Sequence, residues 1–185
     1  MKHLNQSFVI IIITIFSLLI INCNKESSTS PPVEQTAKEI IPLKVGNYWS
    51  YSRTLYDSVG NIQDTSSYIT TITGTTSING IQYYNYDNKS TYFVNKTAGY
   101  YISENSVDRL IFKYPASVGD STNYGKYTST NSSIQVPAGN FTGCYRYETV
   151  PISDKVNYFK PGVGLVYATE KSGREVYQLT SYKVE

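Results

Sequence analysis

An all-β domain is what this sequence predicts, and three observations predict it: an excess of strand-forming residues, short runs that alternate apolar with polar, and turn-forming pairs between those runs. Nineteen Tyr, six Phe and one Trp stand among abundant Thr, Ser, Ile and Val, the residues that suit a pleated, half-buried surface. Ala and Leu are scarce, and no segment after Lys44 places apolar residues at i, i+3, i+4 and i+7. An amphipathic helix therefore has no support.

The elements follow in order. Ile40 to Leu43 is a short apolar lead-in, and Lys44 to Asn47 contains a turn. Tyr48 to Asp57 alternates as a strand, with Trp49, Tyr51 and Leu55 on one face and Ser50, Ser52 and Thr54 on the other, the signature of a half-buried strand with Trp49 inside. Gly60-Asn61 sits in the loop before a second strand at Ser66 to Thr73, and the two read as a hairpin. Asn79-Gly80 then predicts a type I′ turn, whose central residues both need positive φ, into Ile81 to Asp87.

Strands at Thr91 to Asn95, Tyr100 to Ser103 and Arg109 to Tyr114 are separated by Asn88-Lys89, Ala98-Gly99 and a polar turn at Asn105. Pro115 to Asp120 is a loop. Asn123 to Thr130 and Ser133 to Val136 give two weaker strands around Asn131, and Pro137 to Asn140 turns the chain into Phe141 to Val150. Val156 to Phe159 and Leu165 to Glu170 flank the Pro161-Gly162-Val163-Gly164 corner, and Ser172-Gly173 leads to Glu175 to Val184. The spacing is that of an antiparallel meander of about eleven or twelve strands.

A twisted sheet that wide curls. The expected architecture is one domain, residues 40–185, as a strongly curved sheet (half-barrel or barrel), with a β-sandwich as the alternative. A chain near 150 residues buries roughly 70% of its unfolded surface, enough for one core. Only Thr36 to Ile41 offers a short helical turn.

The N-terminus differs in kind. Lys2 precedes a polar stretch to Ser7 and an apolar run from Phe8 to Ile21, the order of a secretory signal peptide. As a helix this run reaches roughly 21 Å, short of a hydrocarbon core about 30 Å thick. It exits through Leu19-Ile20-Ile21-Asn22-Cys23. That exit resembles the lipobox of bacterial lipoproteins, and the resemblance implies cleavage after residue 22 and a lipid on Cys23. Asn22 departs from the usual Gly, Ala or Ser, and looser boxes of this kind are typical of spirochaete lipoproteins. Residues 23–39, rich in Ser, Thr, Pro and charge, read as a flexible tether. The implied location is the bacterial cell envelope, extracytoplasmic and held to the membrane through the lipid.

Several kinds of chemistry find no residues to carry them. The single histidine is His3, inside the signal, so a processed chain has no Ser-His-Asp or Cys-His pair and no His-based zinc site. No HExxH, GxSxG, SxxK, P-loop or EF-hand spacing occurs. With Cys23 lipidated, Cys144 has no disulfide partner and reads as a small buried hydrophobe. No catalytic residue, metal site or cofactor is expected. Sixteen Lys and Arg against 14 Asp and Glu, with no like-charge run longer than two, give no nucleic-acid footprint. Arg146 and Glu148 share a strand face with Cys144 and read as a surface ion pair.

Three blocks, PLKVGNYWSY (Pro42 to Tyr51), VPAGNFTGCYRYE (Val136 to Glu148) and FKPGVGLVYATEKSGREVYQLTSY (Phe159 to Tyr182), resemble a group of uncharacterised bacterial secreted proteins and lipoproteins. The shared positions are turn glycines, prolines and strand aromatics, so the resemblance implies fold and compartment and supplies no activity. A weaker likeness is to curved-sheet proteins that ferry or receive lipoproteins in the envelope, whose concave face holds acyl chains beneath a helical plug that this sequence lacks.

The tyrosine clusters (Tyr83, Tyr84 and Tyr86; Tyr100 and Tyr101; Tyr145 and Tyr147) are expected mainly to fill the core of a Leu-poor domain with hydroxyls reaching water. Adjacent strand positions face opposite ways, so Tyr83 and Tyr84 cannot line one surface. The functional expectation is a non-enzymatic binding or structural module of the envelope with an apolar (lipid or acyl) or glycan ligand on its curved sheet. A surface protein that engages a partner or host, and a carboxylate-based envelope hydrolase, are the competing readings.

Overall fold

The computed structural model of the protein describes residues 39–149 and 154–185. The predicted signal, Cys23 and the tether up to residue 38 lie outside the described residues, as does Val150 of one predicted strand. The described part is all-β, twelve strands in one sheet with every pairing antiparallel. In chain order they are β1 (Tyr48–Tyr56), β2 (Ile62–Ile78), β3 (Ile81–Tyr86), β4 (Tyr92–Lys96), β5 (Gly99–Glu104), β6 (Val107–Lys113), β7 (Ser121–Thr122), β8 (Gly125–Val136), β9 (Gly139–Thr149), β10 (Lys155–Lys160), β11 (Gly164–Glu170) and β12 (Glu175–Lys183).

The order across the sheet is β6-β5-β4-β3-β2-β1-β12-β11-β10-β9-β8-β7. The chain starts mid-sheet, works outward to one edge at β6, crosses to the other edge at β7, and returns until β12 closes on β1. That crossing dictates curvature. Twelve strands laid flat would set the edges about 50 Å apart, whereas the seven residues between β6 and β7 span at most about 25 Å. The sheet curls into a nearly closed barrel because the connection is too short for anything flatter.

Side-chain hydroxyls close the seam in place of a backbone ladder. Thr122 Oγ1 and Tyr147 Oη donate to the Ile111 carbonyl of β6, at 3.0 and 3.3 Å. Tyr127 Oη donates to the Lys113 carbonyl at 2.8 Å, and Lys113 Nζ pairs with Asp120 at 2.8 Å. The edge carbonyls of β6 are thus satisfied by residues of β7, β8 and β9, as buried backbone acceptors must be.

A continuous run of rings fills the interior. Trp49 meets Tyr86 at 6.1 Å, Tyr86 meets Phe93 at 5.1 Å, and the run passes through Tyr100 to Phe112. Phe112 of β6 then meets Phe159 at 4.3 Å and Tyr147 at 5.1 Å, joining the two sides of the barrel. Trp49 is 3% exposed and donates Nε1–H to the Val163 carbonyl at 2.6 Å, so its expected burial holds. The Ile40 to Leu43 lead-in lies across one mouth. Gly162 N–H bonds to the Glu39 carbonyl on one side, and Asn95 Nδ2 bonds to the Ile41 carbonyl on the other, while Ile40 is buried in the core.

The observed strands correct the reading in four places. Ser66 to Thr73 is the middle of the much longer β2, whose first part pairs with β1 and whose last part, from Ile72, pairs with β3 across an irregularity at Gly74. The two weak strands around Asn131 are one strand, β8, with register shifts absorbing the irregular stretch. Ser121–Thr122 forms a short edge strand that the sequence did not announce. Residues 39–41, the described part of the proposed helical turn, form a bend. The Asn79-Gly80 turn matches its expectation, with φ of 52° and 78°.

Candidate functional site

Because β3 pairs with β2 only from Ile72 onward, the wall formed by β3 to β6 stops short of the far ends of β1, β2, β10, β11 and β12. Residues 62–69 of β2 are all exposed. Beyond the ring-filled core, the same concave face of β1 and its neighbours therefore continues as an open cleft of about 590 Å³. It is lined by Arg53, Tyr68, Lys155, Asn157, Leu165, Ala168 and Tyr177.

Register brings these side chains together. Alternation along β1 puts Arg53 on the face of Trp49 and Tyr51. Tyr68 lies opposite Tyr51, Tyr177 lies opposite both Arg53 and Ala168, and Asn157 lies opposite Ala168. The Tyr51 and Tyr68 rings stack at 5.3 Å, and Tyr68 meets Tyr177 edge-on at 6.2 Å. Tyr51 anchors the stack by donating its hydroxyl to the Leu165 carbonyl at 3.0 Å. Tyr68 itself is 40% exposed, a ring offered to the cleft.

Beneath the rings lies a charged floor. Glu175 Oε1 accepts from Arg53 Nε and from Tyr177 Oη, both at 2.7 Å, and Oε2 pairs with Lys155 Nζ at 3.2 Å. The Lys155 ammonium also sits 4.9 Å above the Tyr177 ring, within cation–π range. Burial raises the Glu175 carboxyl, and the hydrogen bonds from Tyr177, Arg53 and Lys155 outweigh it and hold the pKa at about 2. The carboxylate stays ionised through the neutral range. Burial, with Tyr177 and Glu175 nearby, pushes the Tyr68 phenol up to about 12, so it remains a hydrogen-bond donor.

Two further concavities carry less. One of about 450 Å³ lies between the Tyr56 to Gly60 loop and the Ser172 to Arg174 turn, with Tyr56 as its single ring. Another of about 410 Å³ lies on the opposite, convex face against Arg146, Tyr158, Tyr167 and Lys171. There Arg146 bonds Tyr158 Oη at 3.2 Å and Thr128 Oγ1 at 2.8 Å and pairs with Glu148 at 2.5 Å. The expected Arg146–Glu148 pair is formed, and it does not engage the thiol. Cys144 is fully buried in the core, donates to the Phe141 carbonyl at 3.6 Å, and has its thiol pKa pushed up to about 11 by burial, against the opposing charge of Lys160.

The tyrosine clusters divide as the pleat requires. Tyr84 and Tyr86 pack against the core, while Tyr83 lies on the other face, where it is nonetheless buried, at 5% exposure, and donates its hydroxyl to Asp108 at 2.8 Å. Tyr147 is fully buried. Sequence reasoning did not single out Arg53, Tyr68, Lys155, Glu175 or Tyr177. One signal was available: Arg53 shares the face of Trp49 and Tyr51, and a charged residue on the apolar face of a strand needs a partner.

Cys23, the lipidation residue expected from the sequence, lies outside the described residues. Among the described residues no group of three or more His, Cys, Asp or Glu is placed to hold a metal ion.

No family model matches this chain. No curated protein matches it. Among solved structures, it is similar to a Bacteroides fragilis NCTC 9343 protein of YmcC-like fold, at 12% identity and a TM-score of 0.43, over 80% of this chain and 99% of that one.

Proposed function

We propose that the protein is a lipid-anchored, extracytoplasmic binding module of the bacterial cell envelope that holds a saccharide in the concave cleft and catalyses no reaction. The observation that carries this reading is the division of one sheet face. The covered half is packed with rings, and the open half presents Tyr68 and Tyr177 beside hydrogen-bonding side chains.

Sugars suit such a surface because their C–H faces lie on aromatic rings while their hydroxyls need polar partners. An acyl chain needs a dry apolar cavity of its own length, and rings in contact from Trp49 to Tyr147 occupy that space. The non-enzymatic reading draws on the same residues. Glu175 has both oxygens engaged and a pKa far below that of a general acid, and the Cys144 thiol is buried and protonated. The anchor rests on the signal and the LIINC exit at Cys23.

A protein-binding role is the second reading. It is favoured by Val59, Ile62 and Ile69, which are 80%, 63% and 62% exposed around the projecting β1–β2 hairpin.

Mass spectrometry of protein purified from its native membrane tests both halves of the proposal. A diacylglyceryl group on Cys23 and a co-purifying saccharide are expected, with the saccharide lost in Tyr68→Ala. A fatty acid held in addition to the anchor, or a ligand-free protein, would contradict the saccharide reading.

A further inference from the structure

The cleft is asymmetric in its hydrogen-bonding capacity. Its one sequestered carboxylate, Glu175, is 12% exposed and has both oxygens taken by Arg53, Tyr177 and Lys155, so it has little to offer an incoming donor. The cations around it are differently placed. Arg53 carries five N–H donors. Nε is used on Glu175, Tyr177 is a second side-chain hydrogen-bond partner, and Nη1 stands 3.7 Å from Asp64 Oδ2, beyond hydrogen-bond reach, which leaves part of the fork over. Lys155 has three donors, with one contact to Glu175 and its ammonium 4.9 Å above the Tyr177 ring. The Arg53 and Lys155 side chains are 30% and 32% exposed, and both line the cleft together with the Asn157 amide.

Two cations therefore share the partly buried Glu175 carboxylate, and both line the cleft together with the Tyr68 and Tyr177 rings. Asp64, the other nearby carboxylate, is 55% exposed at the rim, and its contact with Arg53 is the long one. Surplus donors of positive charge beside aromatic rings fit a ligand that combines a sugar-sized ring with an anionic acceptor. Guanidinium and ammonium groups bind carboxylates through charge-assisted hydrogen bonds about twice as strong as neutral ones.

We infer that the cleft takes an acidic saccharide, its ring against Tyr68 and Tyr177 and its carboxylate on Arg53 and Lys155. This rests on the saccharide reading and narrows it to uronate-type sugars. The contrary possibility is that the Arg53, Glu175 and Lys155 cluster does no more than pin β1, β10 and β12 together.

The test measures binding of trigalacturonate, its methyl ester and maltotriose to the full-length lipidated protein in detergent micelles, using calorimetry. The ester keeps the rings and removes the charge. The acid trimer is expected to bind tighter than its ester by about tenfold or more, the worth of one charge-assisted hydrogen bond, and to weaken as salt is raised. Lys155→Met, which keeps the apolar stem, should remove most of that preference by weakening the acid trimer more than its ester. Arg53→Lys keeps the charge and removes the planar fork, and it should reduce the preference in part.

Equal binding of acid and ester would overturn the inference while leaving the saccharide reading in place. An acid preference unchanged in both variants would overturn it as well, by placing the recognition elsewhere. If none of the three sugars binds, the inference fails, and a ligand-free native protein would take the saccharide reading with it.

Discussion

Replacing Tyr147 by Ala is expected to destabilise the domain by about 3–5 kcal/mol, the usual cost of deleting a buried aromatic side chain. Tyr147 is fully buried, packs against Phe112 at 5.1 Å and Tyr127 at 4.9 Å, and reaches Thr122 Oγ1 at 2.7 Å and the Ile111 carbonyl at 3.3 Å. It is the side chain of β9 that touches both edges of the curled sheet. Tyr147→Phe keeps the ring and removes the hydroxyl, leaving the seam acceptor short of one partner, and should cost about 1 kcal/mol. Urea unfolding followed by Trp49 emission measures both. A Tyr147→Ala variant within about 1 kcal/mol of wild type would show that the seam does not depend on this residue.

Gly99→Ala has the next largest expected effect, about 2–4 kcal/mol, from a positive φ and an overpacked site together. Gly99 has φ of +138°, which L side chains rarely adopt, and a Cβ there would overlap the Phe112 carbonyl oxygen and lie 2.8 Å from Tyr114 N and 3.0 Å from Lys113 Cα. All three are backbone atoms of β6 and the residue after it, so no side chain can swing aside. Gly119 provides the control. Its φ is +94°, with nothing within 4 Å of the added methyl, so Gly119→Ala should show only the conformational cost, about 1 kcal/mol. Equal losses in the two variants would mean that β5 and β6 are not packed backbone to backbone at this point.

Local chemistry made much of the fold legible. The Asn79-Gly80 turn needed positive φ at both positions and has it, and the alternation of β1 placed Trp49 and Tyr51 in the core. Legibility failed where pattern and pairing part company. The long β2 is rich in Thr and Ser and exposed on both faces over residues 62–69, so it shows no alternation, and its extent is set by two different partners. The register shifts of β8 leave a sequence that reads as two strands. Curvature was expected from strand number, while near-closure depends on the short link from β6 to β7 and on hydroxyls meeting Ile111 and Lys113. No local pattern records that meeting. The cleft was harder still, because Arg53, Tyr68, Lys155, Glu175 and Tyr177 come from four strands and meet only through register. Arg53, charged on the face of Trp49 and Tyr51, was its one local trace.

The concave face is filled with rings at one end and, in the function proposed, open for a ligand at the other. Tyrosine-ring NMR of the ¹³C-labelled protein during titration with trigalacturonate tests this division most directly. The Tyr68 and Tyr177 ring signals should shift with added sugar while those of Tyr100, Tyr127 and Tyr147 stay fixed. Shifts at the three interior rings with Tyr68 and Tyr177 unmoved would contradict it, because the ligand would then occupy the interior of the barrel and not the cleft.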